Sequence, residues 1–152
     1  MDMQDFLAQS IRGMRKETFD KSDQLALGEM ILKLEPIIEK QKQRIARGDA
    51  EATVRYDFGC LFPTDIDSWR GSYDELALNY VGEGEELTAT KFFELLKNAF
   101  GKKFTGYKGG EFFMNKNTPV WVANYGNSGN TAVIEIIDND YEIIIITAYR
   151  KF

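Results

Sequence analysis

The stretch Thr131-Ala-Val-Ile-Glu-Ile-Ile137, followed by Asp138-Asn-Asp140 and Glu142-Ile-Ile-Ile-Ile-Thr-Ala148, decides the fold class of this chain. Two runs of β-branched residues on either side of a short Asp/Asn segment are typical of a β-hairpin. The second run has no polar residue from Ile143 to Ile146, so both of its faces must be buried. We therefore expect a central strand with a helix on one side and other parts of the molecule on the other.

Three more strands are predicted from the residues that precede this hairpin. Residues 53–58, 72–80 and 120–124 are rich in β-branched and aromatic residues. The glycine-rich residues 126–130 supply a turn, so the last third of the chain is predicted to form an antiparallel meander. The prediction is an α+β domain whose antiparallel sheet of about five strands is covered by helices.

One covering helix is predicted between the strands. Thr88 is a suitable N-cap, and Gly101 is a suitable terminator. The apolar residues between them recur at helical spacing and form one face that we expect to be buried, namely Phe92, Leu96, Ala99 and Phe100.

The first 50 residues are helical in composition, being rich in Leu, Ile, Gln, Lys and Glu. A helix is predicted from Ser22 to its end at Gly48, with a kink or break at Pro36, and a shorter helix over about residues 2–16. The longer helix carries an apolar stripe in which Gln41 fills one gap: Leu27, Ile31, Leu34, Ile38 and Ile45. The stripe either packs on the chain's own sheet or forms a seam between chains. Residues 1–50 are thus a helical segment for packing or oligomerisation, and residues 51–152 are the α+β domain.

Composition excludes several classes of function. The chain has 152 residues, no histidine and one cysteine, so mechanisms that need an imidazole, and cysteine-rich metal sites, are excluded. The formal charge of −5 disfavours general nucleic-acid binding. No apolar run is long enough for a membrane span, and we expect a cytoplasmic protein without cofactor or metal. Cys60 is expected to be a small buried residue.

Ser68-Trp-Arg-Gly-Ser-Tyr73 is the richest candidate for ligand binding, because an arginine between aromatic residues can hold an anion while the rings stack. Gly106-Tyr-Lys-Gly-Gly110 adds a ring and a cation on a flexible backbone. The end of the strand at 120–124 adds polar contacts. The predicted ligand-binding residues are Trp69, Arg70, Tyr73, Tyr107, Lys108, Asn124 and Tyr125. The alternative is an aromatic pair in the core, with Arg70 paired to Asp67 or Asp74.

Two other motifs give weaker signals. Residues 101–108 have the glycine spacing of a phosphate-binding loop, but Tyr107 stands where the lysine belongs. Asp65 and Asp67, with Glu111, offer carboxylates for a divalent metal, although the first two fit a turn equally well.

Three segments together resemble a group of small proteins encoded by bacteriophages and prophages. They are Ser68-Trp-Arg-Gly-x-Tyr73, Gly106-Tyr-Lys-Gly-Gly-x-Phe-x-Met114 and Thr118-Pro-Val-Trp-Val-Ala-Asn-Tyr-Gly126. The resemblance covers roughly residues 53–148 and carries no catalytic residue with it. It implies a viral protein that acts in a bacterial cytoplasm, where small accessory proteins often counter host defence.

We expect a non-enzymatic protein that binds a small anionic or aromatic ligand, such as a nucleotide-like host signal, and that forms a homo-oligomer. One alternative is an inhibitor that binds a host protein through its acidic surface. Another is a metal-dependent hydrolase that uses the carboxylates of Asp65 and Asp67.

Overall fold

The computed structural model describes residues 23–105, 109–123 and 130–149. These residues form two helices and eight strands. The helices are α1 (Leu27–Ala46) and α2 (Ala89–Ala99). The strands, in chain order, are β1 (Thr53–Tyr56), β2 (Ile66–Trp69), β3 (Ser72–Leu78), β4 (Lys103–Thr105), β5 (Glu111–Phe113), β6 (Val120–Val122), β7 (Thr131–Asp138) and β8 (Glu142–Tyr149).

Six of the strands form one mixed sheet in the order β1-β8-β7-β6-β3-β2. The pairs β1/β8 and β3/β6 are parallel, and the other neighbours are antiparallel. Strands β4 and β5 form a separate antiparallel pair. The α+β class is therefore confirmed, but the antiparallel sheet of about five strands is wrong. Local sequence patterns identify strands, whereas the parallel pairings join segments distant in the chain.

The predicted hairpin is present, and β8 lies inside the sheet between β1 and β7. Six consecutive residues of β8 are buried, from Ile143 to Ala148. Because neighbouring side chains point to opposite faces, both faces of this strand are covered, as predicted.

The two helices pack with one face of the sheet. Buried residues of α1 and α2 share a cluster with alternate residues of the strands, among them Val54, Leu76, Val120 and Ile143. The opposite face holds two smaller buried clusters. Their members are Ile134, Ile144, Ile146 and Ala148 in one, and Trp69, Trp121, Ala123 and Ala132 in the other.

Helix α1 begins later than predicted and continues through Pro36 without a break. It begins at Leu27 with Ala26 as N-cap, and Glu29 accepts a hydrogen bond from the Ala26 N–H at 3.1 Å. Ser22, the predicted N-cap, lies outside the described residues. Pro36 lies inside the helix without splitting it. The end is as predicted: Gly48 has φ +85°, and the Gly48 and Asp49 N–H groups bond to the Ile45 and Arg44 carbonyls.

The buried stripe of α1 consists of Leu27, Met30, Leu34, Ile38, Gln41 and Arg44. The sequence prediction placed Ile31 and Ile45 in this stripe, but Ile31 is only half-buried and Ile45 is 45% exposed. For Leu27, Leu34 and Ile38 the structure shows the first of the two interpretations, packing within the chain.

Helix α2 begins as predicted, since the Thr88 hydroxyl accepts a hydrogen bond from the Lys91 N–H at 3.4 Å. Phe92, Leu96 and Ala99 are buried, but Phe100 is 51% exposed. Phe100 is the C-cap residue with extended backbone (ψ 122°), so its side chain leaves the buried face.

Residues 24–26 make an unpredicted connection between β6 and β7. Leu25 donates to the Val133 carbonyl at 2.8 Å and accepts from the Val120 N–H at 3.3 Å. Strands β6 and β7 pair at only two positions, so this segment supplies the hydrogen bonds that the strands cannot give each other.

Cys60 is exposed, so the prediction of a buried residue is wrong. Gly59 and Cys60 both have positive φ (61° and 53°), and the Leu61 N–H bonds to the Phe58 carbonyl. A two-residue turn of this kind projects away from the core. The helix predicted over residues 2–16 lies outside the described residues. Within the described part, neither helix has the length and apolar character to traverse a lipid bilayer.

Candidate functional site

The predicted ligand-binding residues on the β2–β3 hairpin lie in different surroundings. Trp69 is 5% exposed and stacks on Trp121 with ring centroids 4.1 Å apart, and Arg70 is exposed in the turn. Tyr73 is half-buried, with its ring centroid 6.3 Å from that of Phe112. The Trp69 ring therefore pairs inside the molecule with Trp121, not with Tyr73. The remaining four, Tyr107, Lys108, Asn124 and Tyr125, lie outside the described residues.

The carboxylates considered for a metal lie on separate elements. Asp67 is in β2, and Glu111 is in β5, where its carboxylate accepts from the Lys103 ammonium at 3.3 Å. Among residues 23–105, 109–123 and 130–149, no cluster of three or more Asp, Glu, Cys or His side chains could hold a metal ion.

A cavity of about 320 Å³ lies between the C-terminal half of α1 and the turn that joins β7 to β8. We call it the turn cavity. It is lined by charged and polar side chains and one aromatic ring: Lys40, Gln43, Arg44, Arg47, Asp49, Asp140 and Tyr141.

Helical spacing places the basic residues of this cavity on one side of α1. Lys40, Arg44 and Arg47 are four and three residues apart, so their side chains project from successive turns. Cations near the end of a helix also interact favourably with its dipole. The apolar stripe of α1 thus continues into polar residues where the helix meets the β7–β8 turn.

The β7–β8 turn is fixed by its own hydrogen bonds. Asp140 has φ +60°, a left-handed conformation that Asp tolerates better than most residues. Its N–H donates to the Asp138 carboxylate at 2.9 Å, and the Asn139 N–H donates to the Glu142 carbonyl at 2.9 Å. The Asp140 carbonyl then points to α1, where it accepts from Gln41 Nε2 at 3.2 Å and from Arg44 Nη1.

Most charges of the turn cavity are paired. The Lys40 ammonium donates to Asp138 at 3.0 Å and to Asp140, and Arg47 lies 3.4 Å from Asp49. The hydrogen bond from Lys40 holds the pKa of the Asp140 carboxyl below its ordinary value of 3.8. The same bond raises the pKa of Lys40 above 10.5.

Arg44 differs from these residues because it forms no ion pair with any residue in the described ranges. Only 6% of its surface is exposed, and its guanidinium lies 4.3 Å from the centroid of the Tyr141 ring. Tyr141 itself is 72% exposed. Arg44 therefore presents a buried positive charge, and Tyr141 presents an accessible ring, on the wall of the same cavity.

Two other buried polar clusters are satisfied within the chain. The Tyr56 hydroxyl donates to the Asn79 carbonyl, and burial raises the pKa of Tyr56 well above 10.0. The Asn79 side chain accepts from the Thr64 and Asp65 N–H groups at 2.7 and 3.0 Å. The Asp57 carboxylate accepts from the Thr147 N–H and hydroxyl at 3.1 and 2.7 Å. These contacts stabilise the fold.

The sequence prediction missed the turn cavity, although a signal was present. The sequence prediction treats Gln41 as a gap in the apolar stripe and gives Arg44 no role, yet both residues occupy buried positions of α1. Long polar residues at apolar positions of a helix indicate a polar contact, and here the Asp/Asn turn between β7 and β8 provides the partner. Comparisons with protein families, with curated proteins and with solved structures found no match for this chain.

Proposed function

We propose that this chain is a non-enzymatic binding protein whose ligand is a small anion with a planar group, held in the turn cavity. The observation that carries the proposal is Arg44, a guanidinium that is 6% exposed and forms no ion pair within 4 Å in the described part of the chain, where the Asp140 carboxylate acts on it only at longer range. Buried charges are ordinarily paired, because moving a charged group from water into a protein costs on the order of several kcal/mol.

The free hydrogen-bonding capacity of Arg44 suits a carboxylate or a phosphate. One of its N–H groups is used by the Asp140 carbonyl. A guanidinium has five N–H donors in a planar arrangement and binds such anions through two parallel hydrogen bonds. Arg44 covers one face of the Tyr141 ring, and the high exposure of Tyr141 leaves room for a planar group on the ring.

The other charges limit the ligand to a small and weakly charged one. Lys40 and Arg47 already contact carboxylates, so an anion gains less from them than from Arg44. Asp49 and Asp140 on the rim repel polyphosphates. A cavity of about 320 Å³ has the volume for one ring system and one anionic group. With the phage origin implied by the sequence resemblance, nucleoside monophosphates of a bacterial host are the first ligands to test.

Isothermal titration calorimetry with AMP, GMP, CMP and UMP tests this proposal. Arg44→Met keeps the apolar stem and removes the charge, and Tyr141→Leu removes the exposed aromatic ring. We expect each variant to weaken binding at least about tenfold, since each contact contributes about 1.4 kcal/mol or more. Arg70→Ala, a second arginine in an exposed turn, is the matched control and should bind as the parent does.

Three results would contradict the proposal. Loss of binding in Arg70→Ala with unchanged binding in Tyr141→Leu would place the ligand at the hairpin predicted from the sequence, with Trp69, Arg70 and Tyr73. No binding of any of the four nucleotides, together with no ligand in native mass spectrometry of the purified protein, would remove the proposed function. Turnover of a bound nucleotide would show an enzyme.

A further inference from the structure

A second concave surface lies at the opposite end of α1, where the helix meets the C-terminal end of α2. Its cavity measures about 400 Å³ and is lined by Gly28, Ile31, Leu32, Lys97, Phe100 and Lys116. We call it the α1/α2 groove. It shares no lining residue with the turn cavity, so substitutions can test the two surfaces separately.

Two large apolar side chains of the groove are exposed to solvent. Leu32 is 66% exposed and Phe100 is 51% exposed, with Ile31 half-buried beside them. The backbone holds Phe100 in this position, since Phe100 leaves the helix as its C-cap and Gly101 follows with φ +75°. Single exposed apolar residues are ordinary, whereas these two line one concave surface together with Ile31.

Two lysines border the groove. Neither Lys97 nor Lys116 forms an ion pair with a residue of the described ranges, and the Lys97 ammonium lies 5.1 Å from the centroid of the Phe93 ring. Lys116 reaches the groove because Gly28 has no side chain. The Gly28 N–H donates to the Lys116 carbonyl at 3.0 Å, and a Cβ on Gly28 would lie 2.7 Å from that of Lys116.

We propose that the α1/α2 groove binds an apolar segment of a partner protein that carries Asp or Glu beside its apolar residues. Leu32 and Phe100 supply the apolar contact, and Lys97 and Lys116 supply charges of the complementary sign. A second copy of this chain is a poorer occupant, because a symmetric contact through this face brings the lysines of both copies together. The positive border is also a local exception on a chain whose formal charge is −5.

Two synthetic amphipathic peptides test this proposal by fluorescence polarisation. Both carry leucines at helical spacing, and they differ only in having glutamates or lysines at the polar positions. The glutamate peptide should bind the parent protein at least about tenfold more tightly than the lysine peptide. Lys97→Glu with Lys116→Glu should reverse that preference, and Leu32→Ser should weaken the binding of both peptides.

The matched control is Ile45→Ser, which removes another exposed apolar residue of α1 outside the groove and should leave both affinities unchanged. Equal affinity for the two peptides, or binding by neither, would overturn the proposal. So would a dimer in light scattering that dissociates in Leu32→Ser, because the groove would then hold a second copy. None of these outcomes depends on whether nucleotides bind in the turn cavity.

Discussion

Single side chains of α1 determine how the β7–β8 turn is held against the helix. Lys40, Gln41 and Arg44 all contact Asp138 or Asp140. The exposed ion pair and the buried amide make different contributions, because water competes with the first and cannot reach the second. Variants at these positions separate the two effects.

Asp140→Asn tests the exposed ion pair. Asparagine also tolerates positive φ, so the change removes the charge and keeps the backbone preference. Because Lys40 lowers the pKa of Asp140 in the folded state, its stabilisation is present above the ordinary value of 3.8 and is lost as the pH falls through the lowered folded value. The parent should exceed the variant by at most about 1 kcal/mol near neutral pH. Urea unfolding at a series of pH values measures this difference, and a difference that grows on acidification would contradict the argument.

Gln41→Leu tests the buried amide. The Gln41 side chain is fully buried, accepts from the Ala52 N–H at 2.8 Å and donates to the Asp140 carbonyl. Leucine fills a similar volume but leaves the buried Ala52 N–H without its acceptor, which should lower the free energy of unfolding by about 2–3 kcal/mol. Gln43→Leu, at an exposed position of the same helix, should change it by no more than about 0.5 kcal/mol. Equal effects in chemical denaturation would mean that the hydrogen bonds of Gln41 contribute little.

At the scale of secondary structure elements, the β2–β3 hairpin depends on one close contact. Arg70 and Gly71 form its turn, between the paired residues Trp69 and Ser72. A Cβ on Gly71 would lie 2.4 Å from the Trp69 ring, which itself stacks on Trp121. A glycine is required here by the ring that lies against it.

Gly71→Ala should therefore displace the Trp69 ring and disturb its stack with Trp121. Overpacking of this kind costs about 1–3 kcal/mol. We expect lower stability together with a changed near-ultraviolet circular dichroism signal from the tryptophans. Gly82→Ala is the control for a loss of glycine elsewhere, because its added Cβ would lie 3.2 Å from Leu61 Cδ2, the flexible end of a side chain, and meets no tryptophan ring. An unchanged tryptophan signal in Gly71→Ala would show that the ring has room to move.

Local sequence patterns predict some features of the helices and strands but not others. The periodicity of α2, the hairpin of β7 and β8, and the glycine at the end of α1 are properties of neighbouring residues, and their predictions are confirmed. Strand β2 was missed because it is only four residues long and contains Asp67 and Ser68. Pro36 is predicted to kink or split α1, and the helix is not split: the burial of Leu34 and Ile38 on either side outweighs the hydrogen bond that proline lacks.

The candidate site was less predictable than the fold, because it joins segments that are distant in sequence. Arg44 and Asp140 are separated by 96 residues, and their contact depends on where α1 crosses the sheet. The pairing of Trp69 with Trp121 depends in the same way on the parallel pairing of β3 with β6. A local pattern marks Arg44 as a polar residue at an apolar position, but no local pattern identifies the partner in either contact.

At the scale of the whole molecule, α1 has one side in the core and one side in solvent, and two nearby leucines separate these roles. Leu34 is fully buried in the cluster shared with the sheet, whereas Leu32 is 66% exposed. Leu34→Asp places a charge in the core and should lower the free energy of unfolding by more than about 4 kcal/mol, a large part of the roughly 5–15 kcal/mol of an ordinary domain. Leu32→Asp should leave the fold intact. Circular dichroism and light scattering on both variants and the parent measure the outcome. If Leu34→Asp gives a folded monomer while the parent is an oligomer, the apolar stripe joins two chains. A parent monomer of 17.4 kDa would contradict the homo-oligomer expected from the sequence.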